Sequence, residues 1–168
     1  MEKYFEALLD RFDELHRDVQ QTLDELPPEA IDWVPAPDMN SLSVLIMHMT
    51  GSERYYIGDV CLGDLSFRDR NAEFRVKGMD AAALKHRLTD LAAYEKSAFE
   101  QLHVSELGQE RVAPKDGRTF TVAWALNHAL EHTAIHVGHI QILKQMWQLK
   151  AQSRPKSPSA AVKLSDAP

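Results

Sequence analysis

A chain of 168 residues can bury one substantial core and is too short for two ordinary domains. Its 44% hydrophobic and 26% charged residues are globular proportions, and a net charge of −6 excludes the basic field that draws nucleic acid or an anionic membrane. A single cysteine, Cys61, excludes an internal disulfide framework and fits a reducing compartment, and no apolar run has signal-peptide or membrane-spanning length, so the sequence reads as soluble and cytoplasmic.

The first predicted helix runs from about Glu2 to Leu26. Phe5, Leu8, Leu9, Phe12, Leu15, Val19 and Leu23 recur there at three- and four-residue intervals, one apolar stripe of an amphipathic helix. Pro27-Pro28 stops it, and the connector to Asn40, with Trp33, Pro35 and Pro37, is expected to be extended and packed by its tryptophan. A second helix starts near Ser41 or Ser43, both good N-caps, and ends at Leu62-Gly63. The stretch Asp64 to Gly78 lacks periodicity, and its charges predict a solvated crossover. The third helix covers about Asp80 to His103, with Leu84, Leu88, Leu91 and Phe99 inward. Pro114-Lys-Asp-Gly117 predicts a turn, flanked by the strands of a short hairpin. The fourth helix begins near Thr119 or Thr121 and ends near Lys150. The proline- and serine-rich residues 151–168 are expected to be a disordered tail.

The expectation is therefore an all-α domain over residues 1–150. Its four amphipathic helices form a four-helix bundle, and the long loop permits one parallel crossover between helices 2 and 3. In the fourth helix, His128, His132, His136 and His139 fall within roughly 80° of arc at about 100° per residue. Trp124, Ile135, Leu143 and Met146 lie on or beside that arc, so the histidines are expected to face the core. Buried imidazoles need partners, and a metal ion partners a pair at i and i+4. His48 is the only histidine of the second helix. With such a pair it gives three nitrogen donors, the ligand number of a site that keeps a position open.

The segment Asn127-His-Ala-Leu-Glu-His132-Thr-Ala-Ile-His136-Val-Gly-His-Ile-Gln resembles the end of a DinB-like (damage-inducible) protein. Pro35-Ala-Pro-Asp-Met-Asn-Ser-Leu-Ser-Val-Leu-Ile-Met-His48 resembles that family's loop and second helix. The resemblance covers roughly residues 1–150. It implies a four-helix bundle holding one divalent ion, zinc or nickel, on His48, His132 and His136. It further implies a thiol S-transferase or isomerase using a low-molecular-weight thiol such as bacillithiol or mycothiol, and pairing into a homodimer. His139 stands where the family often has glutamine. The competing reading is a non-enzymatic, stress-associated dimeric bundle, its metal site closed by His128 or His139. Otherwise His128, His139, Tyr55 and Ser52 are expected around the site or its pocket, with Tyr55 packed in the core. Glu53 is expected to be solvated or ion-paired, Asp59 too far along the helix to serve, Cys61 a small core residue, and His16, His86 and His103 surface residues.

Overall fold

The computed structural model describes residues 1–153. The expected tail therefore lies, from residue 154 on, outside the described residues. Four long helices form the bundle: α1 (Lys3–Glu25), α3 (Leu42–Arg54), α5 (Ala81–Phe99) and α6 (Val122–Gln152). Two single-turn helices, α2 (Pro28–Ile31) and α4 (Arg70–Glu73), interrupt the connections. Strands β1 (Glu110–Val112) and β2 (Thr119–Thr121) form the expected hairpin, with Arg111 opposite Phe120.

Side-chain caps set the helix starts. Ser41 Oγ accepts from Val44 N–H, Asp80 Oδ1 from Ala83 N–H and Thr121 Oγ1 from Trp124 N–H, each satisfying an amide that has no partner within the helix. The first connector is helical rather than extended at its start, because Pro28 suits a first helical turn. Its Trp33 packs edge-on against Trp147 at 5.4 Å. Beyond Arg54 the helix α3 continues as a π-helical segment, Tyr55–Leu62. Gly63, at φ 72°, ends it in the left-handed region that glycine enters without a Cβ clash. α5 stops at Phe99, short of the predicted His103.

Two apolar clusters give the helix directions. One joins Phe5 and Phe12 of α1, Ile57 and Val60 beyond α3, Phe99 of α5, and Val122 and Leu126 of α6. The other joins Val19 and Leu23, Ile46 and Met49, Leu84 and Leu88, and Ile140 and Leu143. The start of α1 thus shares one end of the bundle with the ends of α3 and α5 and the start of α6. α3 and α5 run parallel to each other and antiparallel to α1 and α6. α1 lies against α5 and α6, and α3 against α5 and α6. The chain from Gly63 to Asp80 must return the length of the bundle between the two parallel helices, the crossover that the sequence allowed. No helix among the described residues is long and apolar enough to cross a membrane.

The core face of α6 differs from expectation. Ala125, Leu126, Ala129, Thr133, Val137 and Ile140 are buried, whereas Trp124 and Ile135 are about half exposed. The histidine arc sits roughly 80° to one side of that face at 100° per residue. The histidines line its edge, where donor atoms can be reached from outside the core.

Candidate metal centre

His48 is buried on α3, and His132 and His136 are half-buried on α6, one turn apart. One ring nitrogen from each lies within 4.8 Å of the other two. His132 Nε2 and His136 Nε2 are 3.2 Å apart, and the His48 ring centroid is 5.0 Å from that of His132 and 5.2 Å from that of His136. Burial, then the neighbouring histidines, lowers the His132 pKa to about 3. Burial, then His48 and His139, lowers that of His136 to about 4. Both rings are therefore neutral near pH 7 and keep a lone pair for a cation.

The crossover completes the site. His48 Nδ1 lies 2.9 Å from Glu73 Oε2, and Arg68 grips the same carboxylate through Nε (2.6 Å) and Nη2 (2.8 Å). Burial raises the Glu73 carboxyl, but the hydrogen bonds from His48 and Arg68 outweigh it and leave the group below the usual carboxylate range. An ionised Glu73 accepts the Nδ1–H of His48, which turns the Nε2 lone pair toward the two α6 histidines. Gly51 makes this approach possible. A Cβ there would overlap Glu73 Oε1 and crowd Arg68 Nε. Most of the crossover is exposed, as its charges predicted, but Glu73 is buried and paired with Arg68 against α3.

A cavity of about 540 Å³ adjoins these groups. Tyr55, Asp59, Phe67, Arg68, Arg70 and Lys115 line it, so Arg68 serves both the cavity and the histidine support. Tyr55 is buried, as expected, and its hydroxyl accepts from Lys115 N–H at 3.4 Å. Burial, first of several causes, raises its pKa and keeps it a neutral phenol. Phe67 is 87% exposed at φ 52°, a conformation bulky residues rarely adopt.

The other predicted residues separate. His139 is exposed, and its Nδ1 meets His136 Nδ1 at 3.5 Å, on the side of that ring away from His132. His128 stacks on Trp124 at 4.8 Å and meets Tyr56 edge-on at 4.5 Å, in an aromatic group that also holds Phe120. Ser52 is buried one turn after His48. Cys61 is buried as expected, and burial pushes its thiol up to about 12. Asp59 pairs with Arg54 rather than a histidine. His86 and His103 are exposed, but His16 is not. It is buried with Glu53, which is fully enclosed rather than solvated, and the pair meets at 2.8 Å. Sequence reasoning missed this burial, and it missed Glu73 and Arg68.

The mycothiol-S-transferase family matches residues 7–148, and no curated protein matches the sequence. Among solved structures, YfiT from Bacillus subtilis is described as a probable metal-dependent hydrolase with an unusual four-helix bundle topology. It aligns with a TM-score of 0.69 at 16% identity, over 88% of this chain and 90% of its own. A DinB-like protein from Bacillus cereus aligns with a TM-score of 0.68 at 17% identity, over 85% of this chain and 92% of its own. A conserved protein from Enterococcus faecalis aligns with a TM-score of 0.68 at 17% identity, over 87% of this chain and 98% of its own. At such identities these structures speak to the fold alone.

Proposed function

The chain belongs to the mycothiol-S-transferase family, and from that premise we propose that it is a divalent-metal-dependent S-transferase for a low-molecular-weight thiol. One observation carries the reading: three histidine nitrogens converge within 4.8 Å at the edge of the core. His48, His132 and His136 would hold one zinc or nickel ion. Three nitrogen donors and no carboxylate suit a borderline-soft ion, and three protein ligands leave a position for an outside one. Bound there, the ion lowers the pKa of a thiol and fixes its sulfur.

The chain's own residues do the remaining work. Glu73 holds His48 in one tautomer, and Arg68 holds Glu73. Arg68, Arg70 and Lys115 give the cavity wall cations for the acidic or polyhydroxy parts of a small thiol. Tyr55 accepts from a backbone amide, so its own O–H is free to donate to a substrate atom. His139 touches His136 from outside the converging nitrogens, an arrangement that favours an open site over one closed by a fourth protein ligand.

The reading takes the chain as a cytoplasmic homodimer. Ile135, Ile142 and Leu149 stand exposed at seven-residue intervals along α6, a stripe that a second copy would cover. Light scattering checks it, and a constant 19.1 kDa mass over a wide concentration range excludes it. The activity is tested on cobalt-substituted protein. Mycothiol or bacillithiol should produce a sulfur-to-metal charge-transfer band, absent in His48→Ala. A spectrum unmoved by thiol in the native protein but thiol-sensitive in His139→Gln would overturn the open site in favour of a closed one.

A further inference from the structure

The bundle holds a second convergence of donor atoms, separate from the histidine triad. His16 of α1, Glu53 of α3 and Glu95 of α5 are 3%, 0% and 0% exposed. Each offers one ligand atom within 4.8 Å of the others. They form a polar layer between the two apolar clusters. On α1, His16 lies between Phe12 and Val19; on α3, Glu53 lies between Met49 and Tyr55; on α5, Glu95 lies between Leu88 and Ala98. Thr133 occupies the same level on α6, fully buried.

Within this layer, His16 Nε2 meets Glu53 Oε2 at 2.8 Å. His16 Nδ1, Glu53 Oε1, both oxygens of Glu95 and Thr133 Oγ1 are buried without a hydrogen-bond partner. His16 and Glu53 partner each other through one atom apiece, but Glu95 adds a second carboxylate without a countercharge at the centre of the bundle, and desolvating such a charge is very costly. A single proton shared between Glu53 and Glu95 would partner one oxygen of each and leave the rest.

We propose that His16, Glu53 and Glu95 form a second divalent-cation site, independent of the histidine triad, that ties α1, α3 and α5 together. Charge supports a dication: two carboxylates and a neutral imidazole bring the enclosed site to zero. One nitrogen and several oxygens suit zinc, manganese or iron(II). The approach is acidic as well. Asp10, Asp13 and Glu14 outnumber Arg17 among the charged residues lining a surface groove of about 480 Å³ between α1 and α5, and the groove reaches His16. In the metal-free protein, burial, then the charge of Glu53, pushes the Glu95 carboxyl well above the usual range. The ion therefore displaces a proton from Glu95. The role is structural, since the ligands come from three of the four helices, are buried, and none of them lines the 540 Å³ cavity.

The test removes the triad and counts what remains. The full chain carrying His132→Ala and His136→Ala, stripped with chelator and titrated with Zn²⁺, should retain one ion per chain. Its melting temperature should rise with Zn²⁺ concentration, since a ligand that binds only the folded state stabilises it. Adding Glu95→Gln should abolish both effects; if that variant proves unfolded by circular dichroism, His16→Gln replaces it with the same expected loss. Absence of Zn²⁺ uptake by the triad variant overturns the proposal. So does uptake that survives either core substitution, which would place the ion on other histidines. Failure of the triad itself to bind shows separately, as no difference in zinc content between the native chain and the triad variant.

Discussion

The two clusters use similar side chains in opposite surroundings, and both draw on α3, five residues apart at His48 and Glu53. The triad sits at the edge of the core, with half-buried α6 histidines and a charged crossover behind it. Its two α6 rings are held neutral, and Arg68 lines a cavity. The layer of His16, Glu53 and Glu95 is almost fully enclosed, with His16 at the foot of a surface groove, adjoins apolar side chains above and below, and gathers two carboxyl groups. Partial exposure with support on one side suits exchange of an outside ligand. Enclosure suits a permanent occupant, a proton or an ion. Location relative to the core, more than residue type, separates the two.

The largest expected effect breaks one side of this comparison and spares the other. His132→Ala should lower the metal content of purified protein by one ion per chain, read by elemental analysis. Unchanged content would remove His132 from the ligand set. Second in size is Glu73→Gln, which keeps the shape but gives up the charge that orients His48. Losing such an outer partner costs about 10–100-fold in metal affinity, measurable by chelator competition. An affinity within twofold of the native value would reduce Glu73 to a packing residue.

Acid and base should separate the clusters in metal-free protein. His132 and His136 are depressed to about 3 and about 4, against roughly 6.5 for an unfolded histidine. Between those values the unfolded chain binds protons that the folded chain refuses, so stability is full above pH 6.5 and falls as pH drops toward 4. Glu95 is raised, so its contribution has the opposite sign: present below the ordinary carboxylate range and lost as pH rises through its folded value. Melting curves across pH should show the loss toward acid reduced by His132→Gln with His136→Gln, and the loss on raising pH above the ordinary carboxylate range reduced by Glu95→Gln. A common slope change in both variants would mean that the clusters titrate as one.

Much of this was legible in sequence, and what was missed was missed for identifiable reasons. The helices, their caps and the hairpin follow from apolar periodicity and from Ser41, Asp80 and Thr121. His48, His132 and His136 were legible as an i, i+4 pair and a lone histidine on a facing helix. The buried layer carried a signal too. His16 continues the stripe of Phe5, Phe12, Val19 and Leu23, and Glu95 continues that of Leu84, Leu88 and Leu91, both at core-facing intervals. A polar residue on such a stripe is easily assigned to the surface by its type, although its position says otherwise. Glu73 and Arg68 had no local signal. Their place depends on the path of the crossover and on the missing Cβ of Gly51, both tertiary facts. The π-helical segment likewise has no pattern of its own in the sequence.

Smaller effects test the rim of the histidine arc. His128→Ala removes a ring stacked at 9° on Trp124 and edge-on to Tyr56, and an aromatic contact is worth about 0.5–1.5 kcal/mol beyond area burial. Denaturant unfolding should show a loss of that order with metal content unchanged; loss of the ion instead would put His128 in the ligand set.

The smallest effect is expected at His139→Gln, and it is informative for that reason. His139 is exposed and meets the far nitrogen of His136 at 3.5 Å. A glutamine amide can reach the same nitrogen and accept or donate there, as the ring does. Burial does not amplify the change, and surface substitutions away from special features stay within about 0.5 kcal/mol. Stability and zinc content should therefore match the native protein, and the thiol-induced cobalt band should keep its position. The triad donors face inward from His48, His132 and His136, while His139 meets the outward side of His136, so its removal leaves the converging nitrogens in place. A drop in zinc affinity comparable to that of Glu73→Gln would show that the outer nitrogen of His136 needs a histidine to orient it. The support of the site would then come equally from the crossover and from α6.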